Sequence, residues 1–295
     1  MRTLARISHL LVILMALTTG FWGCSQPASS DDKPVISVSV MPLKYFVDRL
    51  TNEELEVNVM VPQGASHATY SPTARQMQQL SDSDIYLRIS SLGYEQAFIH
   101  RLDEMNDRMS IVELTQGLEL IRGMEKHGDH YHEGGIDPHV WMSPQVMMNI
   151  LPAIKQALVQ QYPDMAIALE NNFSLLMQEV EQVHQEFQQL VPTLSQRRFM
   201  IFHPALSYLA RDYNLEQVAI EHEGKEPSPQ QLERLVREAR AEDIPVIFIQ
   251  EEFDLRNATL VSQETGAEVV QINPLAYNWT DSMHQLLETF RKHLQ

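Results

Sequence analysis

Cysteine is almost missing from this chain of 295 residues: Cys24 is the only one, so no intrachain disulfide can staple the fold. Basic residues are scarce as well, with 22 Lys and Arg against 39 Asp and Glu and a formal charge of −17. Phosphate recognition needs clustered cations, so a nucleic-acid partner is excluded, whereas an acidic surface suits a soluble protein or one that attracts cations. The chain also lacks a comfortable membrane span, because its longest apolar run, "LLVILMALTTGFWG", is too short. No His-Glu-x-x-His pattern is present, and no general base is tied to a candidate ligand, which argues against a zinc hydrolase.

What is there begins with an export signal. Arg2 and Arg6 precede the apolar run, and the lone thiol of Cys24 stands directly behind it, which reads as a signal peptide over 1–23 and a lipid attachment point at Cys24. The polar, proline-bearing stretch 24–33, "CSQPASSDDK", reads as a tether.

From there the chain alternates short apolar runs with amphipathic ones. "VISVSVM", "LEVNVMV", "DIYLRI" and "SIVEL" are predicted strands, and "PLKYFVDRL", "PTARQMQQL" and "YEQAFIHRLDEM" predicted helices. The theme returns after residue 193 with "RFMIF", "EQVAI", "PVIFI" and "AEVVQI", and with a closing helix from Trp279. The fold class is therefore α/β, with two lobes, 34–162 and 193–295, each built on a roughly four-stranded parallel sheet flanked by helices. Between them, Leu169, Phe173, Leu176, Val180, Val183, Phe187 and Leu190 form an apolar stripe bounded by Pro163 and Pro192. That predicts one long rigid helix over 163–192 joining the lobes, in preference to a dimeric coiled coil.

Three of the twelve histidines, His67, His139 and His203, stand in loops where a βα unit presents ligands, at the carboxyl edge of a sheet. In "VPQGASHATYSPT" the small residues around Gly64 are expected to leave the His67 imidazole exposed, before a helix capped by "SPT". In "RFMIFHPALSYLARDY" Pro204 is expected at the first helical position behind His203. His139 follows the turn Asp137-Pro138 and is shielded by Trp141, Met142 and Pro144. Each residue alone is equally well read as a buried histidine satisfied by a backbone carbonyl. Imidazoles converging from distant loops are, however, what zinc prefers.

The cluster "MEKHGDHYHEGG", with His127, His130, His132, Asp129 and Glu133, reads as a mobile loop collecting metal weakly. His100, His184, His284 and His293 read as surface residues of helices, and His222, Glu221 and Glu223 as groups that can point into the cleft.

Taken together, "IDPHVWMSP", "FHPALSYLARDY", "EHEGKEPS" and "INPLAYNW" resemble the metal-specific solute-binding proteins of bacterial ABC importers, the zinc and manganese cluster A-I. The resemblance runs from "VSVMPLKYFVDRL" to the end. It implies two α/β lobes joined by one long helix with a metal held between them, no catalysis, delivery to an ABC-type metal permease, and a monomer in the periplasm or at the cell surface. His139 and His203 match the second and third ligand positions, and a histidine in the third favours Zn2+ over Mn2+. Ala68 stands where the first histidine is common, with His67 one step earlier, and Asn273 replaces a common aspartate. The fourth ligand is thus left to Glu251, Glu252, Asn273 or a water. The rival classes are a manganese-binding protein of the same family, a zinc hydrolase, and an adhesin on the same fold.

Overall fold

A computed structural model describes residues 35–98, 106–127, 130–221 and 227–295, with the backbone alone over 123–127 and 130–134. The export segment, the tether, Cys24, His100, Asp129, His222 and Glu223 lie outside the described residues.

Four parallel strands, β1 (Val35–Val40), β2 (Glu56–Val61), β3 (Ile85–Arg88) and β4 (Ser110–Glu113), form the first sheet in the order β2-β1-β3-β4. Helices α1 (Met41–Thr51), α2 (Ala74–Ser81) and α3 (Gly93–Phe98) connect them. The central strands β1 and β3 are covered on both faces, β1 from Ile36 to Val40 and β3 throughout, whereas the edge strands β2 and β4 are partly open. Helix α2 starts where expected: the Thr73 hydroxyl accepts from the Gln76 amide and the Gln76 side chain reaches back, a reciprocal capping box.

The second sheet holds β7 (Arg198–Ile201), β8 (Glu216–Ala219), β9 (Val246–Gln250) and β10 (Glu268–Ile272) in the order β8-β7-β9-β10. Period-two alternation divides its side chains. Phe199, Ile201, Val246 and Phe248 join the main core, while Met200, Ile247 and Ile249 face a smaller cluster. That smaller cluster is roofed by α7 (Pro229–Ala241) and α8 (Leu255–Thr265) through Leu235, Ala239, Ala258 and Val261. The segment after β7 departs from expectation: helix α6 (Ser207–Asp212) begins at Ser207 and not at Pro204. Residues 203–206 stay irregular, and the His203 carbonyl takes up the Ala205 amide locally.

Helix α4 (Pro144–Gln161), capped by Ser143, leads through a 3-10 turn (Pro163–Met165) into α5 (Ala166–Leu190). At 1.5 Å per residue α5 is about 37 Å long. Its stripe is used inside the chain: α1, α4 and the closing helix α9 (Trp279–Leu294) all pack on it. Leu169, Leu176, Val180, Val183, Phe187 and Leu190 are buried, whereas Phe173 is partly open. Among the described residues no helix is long and apolar enough to cross a membrane.

One expectation is corrected. The histidine-rich segment is not an irregular loop but an antiparallel hairpin, β5 (Arg122–His127) and β6 (His130–Ile136), with His127 opposite His130 and Glu125 opposite His132. Backbone pairing there supplies the order that its glycines were expected to deny. His184, His284 and His293 stand on helices as expected, each partly buried and partnered, by Tyr213 Oη at 2.8 Å, Glu186 at 3.3 Å and Glu268 at 3.6 Å.

Candidate metal centre

Gly64, at φ +77°, adopts the left-handed backbone that lets the chain double back after β2. Two amides, of Thr69 and Tyr70, then bond to the Ser66 carbonyl at 3.1 and 2.8 Å, turning His67 inward. The expected exposure is wrong: His67 is 7% exposed, covered by His139, His203 and Trp141. Burial comes from residues distant in sequence, His139 and Trp141 of the same lobe and His203 of the other, which no local pattern announces.

His139 opens a 3-10 turn (Val140–Met142). Asp137 does more than turn the chain: its Oδ1 accepts from the His139 amide at 2.9 Å and from its Nδ1 at 2.7 Å. The shield is as predicted, and it is itself fixed, because Trp141 Nε1 donates to the Pro274 carbonyl at 2.8 Å and Trp279 Nε1 to the Trp141 carbonyl at 2.7 Å.

His203 leaves β7 beside the end of β9. Gln250, fully buried there, donates to the His203 carbonyl at 2.6 Å and accepts from its amide at 3.3 Å. Glu221, 5% exposed, places both carboxylate oxygens 3.2 Å from His203 Nδ1, and Phe253 stacks on the ring at 5.5 Å.

The three rings converge from both lobes, with centroids 4.5 to 5.2 Å apart and one ring nitrogen of each within 4.8 Å of the others. With Nδ1 of His139 and of His203 donating to carboxylates, their Nε2 lone pairs are left for the centre. His139 Nε2 is buried with no hydrogen-bond partner among the described residues. The Nε2 atoms of His67 and His203 are 3.3 Å apart. Tetrahedral zinc with Zn–N bonds of 2.0–2.1 Å separates its nitrogens by about 3.3 Å, so this pair is already at ligand spacing. Burial holds the pKa of His67 well below the usual imidazole value, helped by repulsion from His139 and His203. Burial also lowers His139, against the pull of Asp137. Both rings are therefore neutral and ready to donate to a cation at neutral pH.

Beside the rings opens a cavity of about 520 Å³ lined by Leu92, Ile121, Ile136, Pro138 and Pro204 among others. The proposed fourth ligands are not in the donor group. Glu251 is exposed and accepts from Asn273 Nδ2 at 3.0 Å, while Asn273 Oδ1 accepts from the Leu275 amide, so this amide shapes its own loop. Glu252 is half-buried, its pKa raised by burial and partly restored by His203. The side chains of His127, His130 and His132 lie outside the described residues.

Residues 36–293 match the family model of ZnuA, the periplasmic zinc-uptake complex component A. The chain belongs to that family. It is a family of uptake-complex components and not of enzymes, which removes the hydrolase reading. Among solved structures the chain is similar to a crystal structure of ZnuA, with a TM-score of 0.80 and 32% identity over 89% of this chain and 99% of that one. Among curated proteins it is 26% identical to the zinc-binding lipoprotein AdcA of Streptococcus pneumoniae, across 92% of this chain but 55% of AdcA, so it spans about half that relative's length. It is 25% identical to the manganese-binding lipoprotein MntA of Halalkalibacterium halodurans, across 88% of this chain and 85% of MntA. The two-lobed layout with its joining helix is thus that of the family.

Proposed function

We propose that this chain captures Zn2+ outside the cytoplasm, holds it as cargo between its lobes on His67, His139 and His203, and delivers it to the membrane permease of an ABC importer. The observation that carries the reading is the convergence of three buried imidazoles, one with an orphaned Nε2. Two neutral lone pairs do not face each other at 3.3 Å without a proton or cation between them.

Zinc is favoured over manganese because all three donors are nitrogen, whereas manganese prefers carboxylate, carbonyl and water oxygens. The carboxylates of half-buried Asp137 and buried Glu221 balance a divalent ion without touching it. Water or Glu252 completes the coordination. The hairpin histidines His127, His130 and His132 act as a weaker collecting arm. Residues 1–23 serve as the export signal, 24–33 as the tether and Cys24 as the lipid anchor, a reading that the lipoprotein names of AdcA and MntA support. The chain works as a monomer.

The test is competitive titration of untagged protein with zinc and manganese, beside a variant with His67, His139 and His203 all changed to Ala. The reading expects one tight zinc equivalent in the wild type, none in the variant, and weaker manganese. Equal binding by both proteins, or a preference for manganese, sinks it.

A further inference from the structure

Helix α6 follows His203 by four residues and grips the other lobe at its most consequential point. Tyr208, with no exposed surface, donates its hydroxyl to the Asp137 carbonyl at 2.8 Å and accepts the Ile121 amide at 3.1 Å. Ile121 and Asp137 are the two residues at the root of the β5–β6 hairpin, joined to each other by the Asp137 amide on the Ile121 carbonyl at 2.9 Å. Asp137 is also the residue whose carboxylate orients His139. One turn further on, the Arg211 guanidinium lies 5.0 Å from the centre of the Tyr208 ring and donates to the Glu119 carbonyl at 2.7 Å, just ahead of the same root. Asp212 accepts from Ser143 at 2.5 Å, beyond the other end of the His139 loop.

We propose that Tyr208 is a positioning residue for cargo retention. Its hydroxyl fastens the His139 loop and the hairpin root, as one piece, to the segment that carries His203. The inference rests on the three-histidine site holding zinc. It goes further in coupling the hairpin to that site: the hairpin cannot swing from its root without disturbing the anchor of His139, and zinc bound between His139 and His203 stiffens the root.

Tyr208→Phe keeps the buried ring and removes both bonds. Zinc release into a chelating dye, followed by stopped flow, is expected to speed up about tenfold or more, the range for loss of an outer partner of a metal-bound histidine, with association within about twofold. An unchanged unfolding midpoint of the metal-free variant excludes a general loosening of the fold as the cause. Release within twofold of wild type overturns the proposal. Should Tyr208→Phe fail to fold, hydrogen exchange of the wild type decides, since the Ile121 amide donates directly to Tyr208. It is expected to exchange at least about tenfold more slowly with zinc bound, and an equal rate with and without zinc overturns the proposal. His139→Ala separates the two levels. If it keeps wild-type zinc affinity, the reading of the site has failed; if it loses zinc while Tyr208→Phe releases it at the normal rate, only the Tyr208 inference has.

Discussion

The two lobes have the same strand order, yet they furnish the site differently. Written from its second strand, each sheet runs second-first-third-fourth: β2-β1-β3-β4 and β8-β7-β9-β10. Each therefore has a switch point between its first and third strands, where ligands tend to bind in such sheets. In the second lobe the proposed ligand uses it: His203 leaves the first strand and is clamped by Gln250 from the third. In the first lobe the equivalent strand β1 runs straight into α1, with Pro42 in its first turn, and the histidine comes from β2 instead. The place after β8 that corresponds to His67 is taken by Glu221, which orients His203. Equal topology thus places a bare histidine, His67, after the second strand of one sheet and a carboxylate, orienting His203, after the second strand of the other; His139 and its carboxylate Asp137 come from the first lobe's hairpin root. His67 has no carboxylate behind it among its described hydrogen bonds.

The comparison breaks most visibly at the shared core. Phe187 on α5 contacts Tyr213 and Phe290 and is fully buried, so Phe187→Ala is expected to cost about 3–5 kcal/mol of stability in both lobes together. Two separate unfolding transitions in calorimetry, with only one of them shifted, contradict a common support.

Next in size are the ligands. A zinc binding energy of roughly 10–16 kcal/mol shared by three or four groups gives about 2.5–5 kcal/mol each, so His203→Ala should weaken zinc by at least about a hundredfold. If His67→Ala proves the costlier substitution in the same titration, the ranking of the lobes is reversed.

Glu221→Gln sharpens the difference further. It keeps an acceptor for Nδ1 but removes the charge, and a loss of about tenfold in zinc affinity is expected. Glu221→Leu should lose more, and equal values for the two variants mean that charge is irrelevant.

Acidity gives a smaller effect. His67 and His139 have folded pKa values below the unfolded value near 6.5. Above that pH neither state binds the proton and stability is unaffected; below it the unfolded chain takes up protons that the folded chain resists. The stability of the metal-free protein should therefore decline as pH falls below about 6.5, and zinc affinity should persist to lower pH than free imidazole allows. Denaturant melts of the wild type at pH 7.5 and 5.5 check this, with equal midpoints at the two pH values as the contrary result. Last, Leu175→Gln on the open face of α5 should change stability by no more than about 0.5 kcal/mol, since Leu175 is 60% exposed. A large loss would mean that this face is covered.

Periodicity made the elements legible. The stripe from Leu169 to Leu190 announced α5, the eight strand runs became two sheets of four, and "SPT" before α2 capped it. His139 and His203 were readable because each follows structure that local residues dictate. Glu221 as the partner of His203 was hidden, since their contact depends on β8 lying beside β7, a pairing made by the whole sheet. Asp137 was visible only as a turn former, because an Asp-Pro step has the same appearance whether or not the carboxylate also holds a ring. The burial of His67 was illegible for the same reason as its coverage: the covering atoms belong to residues far along the chain.

Helix α5 has a consequence best put in populations. A binder that must close a wide hinge loses affinity in proportion to the time its empty form spends open, because the apparent Kd is the intrinsic one divided by the competent fraction. Here helices of both lobes, α1 and α9, rest on one unbroken rod, and polar bonds from Trp141, Trp279 and Tyr208 already span the lobes around the ring cluster. The empty chain then spends most of its time competent, the divisor stays near unity, and the affinity measured is close to what the three imidazoles themselves provide. In the proposed delivery role, release would then be driven from outside, by whatever pulls the lobes off their common rod.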